Sequence, residues 1–126
     1  MPKTSRSSAS QVYVMEGLDG RYEELGDYTV GFEAYSADGE MTSVFKGLPD
    51  DRCQCPHWGY VLKGKVGYRF ADREETFIEG EAYYAAPGHV PVLYAGSEVV
   101  EFSPTEDLAK TAEVVDRNLE KLARSA

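Results

Sequence analysis

Hydrophobic and polar positions alternate from Tyr28 to Ser36. Tyr28, Val30, Phe32 and Ala34 fall on one side, and Thr29, Glu33 and Tyr35 fall on the other, as in a half-buried strand. Val12 and Val14 alternate with Tyr13 and begin a shorter strand, and Gly17, Asp19 and Gly20 punctuate the residues beyond it. Asp38-Gly39 suits a hairpin turn because both residues tolerate positive φ, which makes Met41–Phe45 the returning strand. Gly47 to Asp51 reads as a loop, with Asp50-Asp51 as turn residues rather than a catalytic carboxylate pair. Val61-Leu62 runs into a Lys63-Gly64 turn, and Val66, Tyr68 and Phe70 continue on one face of a further strand. Thr76–Ile78, Ala82–Ala85, Val90–Tyr94 and Glu98–Phe102 are four more short strands, most of them separated by glycine or proline. Strands returning about every ten residues with turn signals between them predict an all-β antiparallel sandwich or barrel.

The period changes after Phe102. Leu108, Ala112, Val115, Leu119 and Leu122 recur at spacings of four, three, four and three, with charged residues on the opposite side. Ser103, Pro104 and Glu106 have the composition of a helix start with a capping box, so a helix is expected from about residue 104. Its polar face mixes both signs of charge, which fits packing on the β domain or on a second copy better than a membrane surface. Residues 1–10 contain four serines and no core residues and read as a disordered tail. The expected organisation is thus a tail over 1–10, a β domain over 11–103 and a helix over 104–126.

Composition narrows the function classes. A chain of 126 residues is one domain by the size prior. At 42% hydrophobic and 12% aromatic, with nine tyrosines, it can build a real core. A formal charge of -9 argues against nucleic acid or an anionic membrane as partner. Met1–Ser10 carries Lys3 and Arg6 with no apolar run behind them, so no signal peptide is expected and a cytoplasmic location is. Cys53 and Cys55 are too close for an easy bridge: on an extended strand their Cα atoms stand about 6.6 Å apart with parallel side chains. Free thiols are expected.

Two blocks concentrate the chemistry. The first runs from Cys53 to Gly64 and the second from Gly80 to Pro91, and together they contain both histidines, His57 and His89, and both cysteines. His57-Trp58-Gly59-Tyr60-Val61-Leu62-Lys63-Gly64 resembles the end of the first motif of the cupin superfamily, where an acidic ligand is followed by six residues and a glycine. Gly80, five residues, Ala86-Pro87-Gly88 and Pro91 resemble the second motif. That resemblance implies a small antiparallel jelly-roll barrel over about residues 28–103, and cupin barrels host many unrelated activities. The family's usual metal site uses two histidines one residue apart, a glutamate, and a histidine of the second motif. Here the glutamate position holds His57, the early histidine positions fall near Asp51 and Cys53, and the last position holds Pro91, two residues after His89.

The resemblance therefore implies a rearranged ligand set, Cys53 or Cys55 with His57 and His89. Alternation puts Cys53, Cys55 and His57 on one side, with Pro56 disturbing the strand. Sulfur and imidazole donors favour zinc, then iron or copper, over hard cations. Phe32, Phe45, Tyr68 and Tyr83 are the expected cavity aromatics, with Tyr84 turned outward from Tyr83. Trp58 and Tyr60 are expected in the core or at a dimer contact. The function read from these residues is binding of a small organic molecule beside a divalent transition metal. The rivals are a metal-dependent oxygenase, isomerase or lyase, and a metal-free binding or sensor module. A homodimer is expected, using the strand near Val12 or the C-terminal helix.

Overall fold

The computed structural model describes residues 2–125. Its strands are β1 (Gln11–Met15), β2 (Leu18–Leu25), β3 (Tyr28–Tyr35), β4 (Gly39–Glu40), β5 (His57–Lys63), β6 (Lys65–Arg69), β7 (Glu74–Ile78), β8 (Ala82–Ala85), β9 (Val90–Leu93) and β10 (Glu98–Pro104). One helix, α1 (Thr105–Ser125), comes after them. A six-stranded sheet in the order β1-β2-β3-β10-β5-β8 faces a four-stranded sheet in the order β4-β9-β6-β7. Every strand pairing is antiparallel, and the result is a jelly-roll barrel closed over a core that includes Val61, Val66, Tyr68, Phe70, Leu93 and Val99.

The strand register sorts side chains into rows. One row crosses the large sheet on its inner face: Tyr22, Gly31, Glu101, Gly59 and Tyr83 stand opposite one another on β2, β3, β10, β5 and β8. The next row has the other alternation and joins Phe102, Trp58 and Tyr84 to Val30, which is itself buried. Phe102, Trp58, Tyr84 and Tyr60 are exposed, at 42%, 42%, 50% and 43%, so Trp58 and Tyr60 are surface residues rather than core.

Three local expectations are corrected. Residues 18–25 form a full strand despite Asp19 and Gly20, because β2 is paired along its whole length with β3 and its glycine makes room for the Tyr22 ring. Met41–Phe45 is not a strand: the chain turns through a 3-10 segment at Thr42–Val44 and buries Val44 and Phe45 beneath α1. Pro104 completes β10 instead of opening the helix, and Ser103 is engaged with a histidine ring. The 3-10 turn at Pro49–Asp51 holds Asp50 and Asp51 at positive φ, and the Asp51 carboxylate accepts from the Gly47 N–H at 2.9 Å. Residues 2–10 contain a hydrogen-bonded turn from Ser5 to Ala9, and Arg6 faces Asp19 and Glu98 at 3.7 and 3.9 Å.

Helix α1 lies over the barrel mouth. Val115 is buried, and Leu108 and Leu119 pack with it against Val44, Phe45, Cys53, Cys55 and Val90. Asn118 donates to the Val44 and Lys46 carbonyls at 2.7 and 2.8 Å, fixing the helix to the loop below. The apolar stripe read from the sequence is thus used largely inside the protein. No helix of the described residues is long and apolar enough to cross a membrane.

Candidate metal centre and cavity

A backbone bridge brings the two blocks together. Cys53 N–H donates to the His89 carbonyl at 2.8 Å, and Gly88 and His89 N–H donate to the Cys53 carbonyl at 2.8 and 3.2 Å. Gly88, at φ +94, makes the turn this approach requires. His57 opens β5 beside them. As a result Cys53, His57 and His89 each present a ligand atom, all within 4.8 Å of one another and all buried. The Cys53 Sγ stands 3.8 Å from His57 Nε2, and the two imidazole centroids are 5.0 Å apart.

Hydrogen bonds on the far side of each ring fix which nitrogen is offered. His89 Nδ1 is 2.6 Å from the Ala86 carbonyl, which can only accept, so Nδ1 carries the proton and Nε2 keeps a free lone pair. That Nε2 is fully buried without a hydrogen-bond partner among the described residues. His57 Nδ1 pairs with Ser103 Oγ at 2.7 Å, leaving Nε2 turned toward the thiol. Burial pushes both imidazoles down to about 4, with a neighbouring imidazole adding to the effect at His89, so both are neutral donors at pH 7. Burial pushes the Cys53 thiol up to about 11. A metal ion held there would take the Cys53 thiol as thiolate, displacing its proton.

Cys55 stands apart from this group. Its buried thiol donates to the Pro56 carbonyl at 3.4 Å, and burial pushes it up to about 12. Both cysteines are free. Of the two, Cys53 is the one bridged to His89, and this backbone pairing selects it.

Cys53 and His57 open on a cavity of about 630 Å³ inside the barrel, lined by the large sheet, by Tyr68, Pro91 and Leu93 of the small sheet and by α1. Phe45 and Tyr68 line it, together with Cys53 and His57. Tyr83 lies behind the wall, stacked on Phe77 with centroids 4.8 Å apart. Phe32 belongs to the outward row with Val100 and Tyr60, because the cavity takes the other alternation of β3: Thr29, Gly31, Glu33 and Tyr35. Tyr84 is turned outward, as its alternation with Tyr83 requires.

Sequence reasoning missed the polar floor of this cavity. Tyr22 and Tyr35 donate to the two oxygens of Glu33 at 2.5 and 2.9 Å. Tyr68 and Tyr83 both donate to Glu101 Oε2, and Glu101 Oε1 lies 4.0 Å from His57 Nδ1. Burial raises both carboxyls above the ordinary glutamate range, Glu101 adds to this at Glu33, and the tyrosine hydroxyls oppose it. The signal in the sequence was Glu101 itself, a lone acid in the apolar run from Val99 to Phe102.

Neither a protein-family model nor a curated protein matches the chain. Solved structures do. An RmlC-like cupin from Shewanella frigidimarina is similar over 83% of this chain and 93% of its own, with TM-score 0.59 and 14% identity. A protein of unknown function from Rhizobium leguminosarum matches over 82% and 95%, with TM-score 0.59 and 18% identity. The polyketide cyclase RemF from Streptomyces resistomycificus matches over 82% and 79%, with TM-score 0.58 and 16% identity. With identities this low the likeness concerns the backbone, and it agrees with the strand order and with the two glycine-bearing blocks that the Cys53–His89 bridge joins: this chain has the cupin fold.

Proposed function

We propose that this protein binds a small organic molecule in its barrel cavity beside a divalent transition metal held by Cys53, His57 and His89. The observation that carries the reading is the buried, unpartnered Nε2 of His89. Leaving a buried polar atom unsatisfied costs on the order of 1–3 kcal/mol, and a ligated ion removes that cost. The donor set fits the group: two neutral imidazoles, each oriented from behind, and one thiol within reach. Such a set favours zinc, with iron or copper as the other candidates. With three protein ligands and an open position, a bound ion supplies Lewis-acid polarisation to a ligand in the cavity.

The test is metal content. Tag-free protein stripped with chelator and incubated with zinc should take up one ion per chain. His57→Ala and His89→Ala should each abolish uptake, and both variants should remain folded because the barrel core does not include the ion. Wild-type protein that stays empty with zinc, iron(II) and copper removes the metal from the reading.

The assembly is read from the outward aromatic row. A fully covered aromatic side chain buries about 150–250 Å². Five rings exposed by 41–50%, those of Tyr28, Trp58, Tyr60, Tyr84 and Phe102, thus leave on the order of 400–500 Å² of contiguous apolar surface. Adding a polar rim brings the face to the roughly 800 Å² per partner of a stable interface. A second copy of the chain is the proposed occupant. This face replaces the helix as the expected contact, because α1 packs its own stripe against the barrel.

A further inference from the structure

We infer that the metal-free cavity accepts a small molecule with an apolar body and an N–H or O–H donor head, and rejects carboxylates and phosphates. This deepens the proposed function and rests on the cavity being a ligand site. The hydrogen-bond inventory of the walls carries it. Among the described residues the lining has five carboxyl groups, on Glu24, Glu33, Glu101, Glu113 and Asp116, and no lysine or arginine. An anion entering this space loses its hydration and meets groups of its own sign, with no cationic side chain in the lining to receive it.

The phenolic donors of the site are already engaged. Tyr22 and Tyr35 give their hydroxyl protons to Glu33, and Tyr68 and Tyr83 give theirs to Glu101. Tyr13 donates to Asp116 at 2.8 Å near the helix. The Thr29 and Thr105 hydroxyls pair with each other at 2.8 Å, and Ser103 pairs with His57 at 2.7 Å. Acceptor capacity remains open. A carboxylate offers about four lone-pair sites, Glu33 uses two with the tyrosines, and Glu101 Oε1 receives neither of the phenols that bind Oε2.

Glu33 and Glu101 also stand close. Glu33 is opposite Val99 and Glu101 is opposite Gly31, so the two are diagonal neighbours on the inner face of β3 and β10. A donor placed between them satisfies both and offsets their mutual repulsion. Apolar side chains of the wall, including Met15, Leu18, Met41, Phe45, Leu108 and Val115, face the ligand's hydrophobic body.

Three probes with one apolar body and different heads separate the alternatives: phenethylamine, 2-phenylethanol and 3-phenylpropionate. They are titrated calorimetrically into chelator-stripped wild-type protein, so that no ion contributes. The amine and the alcohol should bind, and the carboxylate should bind at least about tenfold more weakly than the amine. Glu33→Gln, which replaces an acceptor by an amide that can donate, should cut the amine-over-carboxylate preference by about tenfold. Carboxylate binding as tight as amine binding overturns the inference. So does failure of all three to bind, or a preference unchanged in both Glu33→Gln and Glu101→Gln. Because the titration is metal-free, a preference observed in a protein that takes no zinc removes the metal alone. Zinc uptake without the preference removes this inference alone.

Discussion

Gly59 stands opposite Tyr83 across β5 and β8, and the absent side chain at Gly59 is what lets the phenol ring lie over that strand and reach Glu101. A Cβ at Gly59 would collide with the ring and hydroxyl of Tyr83. Gly31 plays the same part on the other side of Glu101, beneath Tyr22. Neither glycine has a positive φ, so the requirement is space rather than backbone conformation.

Gly59→Ala should therefore destabilise the protein by about 1–3 kcal/mol, the usual range for overpacking. Gly39→Ala is the control, since a Cβ there meets nothing within 4 Å; it should change stability by no more than about 0.5 kcal/mol. Urea denaturation of both variants checks the pair. Equal stabilities would show that Tyr83 can move aside without loss.

Acid should weaken the fold through its histidines. His89 is held at about 4 in the native protein, against an ordinary value of 6.5. Above about pH 6.5 it is neutral in both states, and its contribution is fully present. As the pH falls toward 4 the unfolded chain takes up a proton that the native protein refuses, and that contribution is lost. Glu33 and Glu101 act in the opposite direction: their raised native carboxyls favour the fold at low pH, and this is lost as pH rises through their native range. The difference between metal-free wild type and His89→Gln cancels the glutamates. Between pH 7 and pH 4 the wild type should lose up to roughly 3 kcal/mol relative to the variant. Parallel stability profiles across that range would contradict the assignment.

The barrel and its helix were legible because alternation, turn residues and the 3.6-residue period each acted locally. β2 was not, because its glycine and aspartate look like punctuation until pairing with β3 gives them a role. Cys53, His57 and His89 were legible as candidates through their placement in two motif-like blocks. The choice of Cys53 over Cys55 was not, since it depends on a bridge between residues 36 positions apart. Glu33 and Glu101 were lost for a related reason: a glutamate on an alternating strand reads as solvent-facing until the fold sets two tyrosines on each, Tyr22 and Tyr35 on Glu33, Tyr68 and Tyr83 on Glu101. Phe32 failed differently, because alternation divides a strand into two faces without saying which one is inside.

The outward row predicts a dimer. The chain of 14.0 kDa should scatter light at twice that mass at micromolar concentration, and Trp58→Glu, which sets a charge in the middle of the row, should return it to one chain. A wild-type monomer would leave this face without the partner proposed for it. A Trp58→Glu variant that stays dimeric would place the interface elsewhere.

The absorption spectrum of the cobalt(II) protein tests the metal centre most directly, because it reports ligand identity as well as occupancy. Cobalt bound by Cys53, His57 and His89 should give thiolate-to-cobalt charge-transfer absorption in the near ultraviolet. That band should persist in Cys55→Ser, vanish in Cys53→Ser, and be absent with all cobalt binding in His89→Ala. A band that survives in Cys53→Ser and is lost in Cys55→Ser, or cobalt bound with no thiolate band in the wild type, would contradict a centre built on Cys53, His57 and His89.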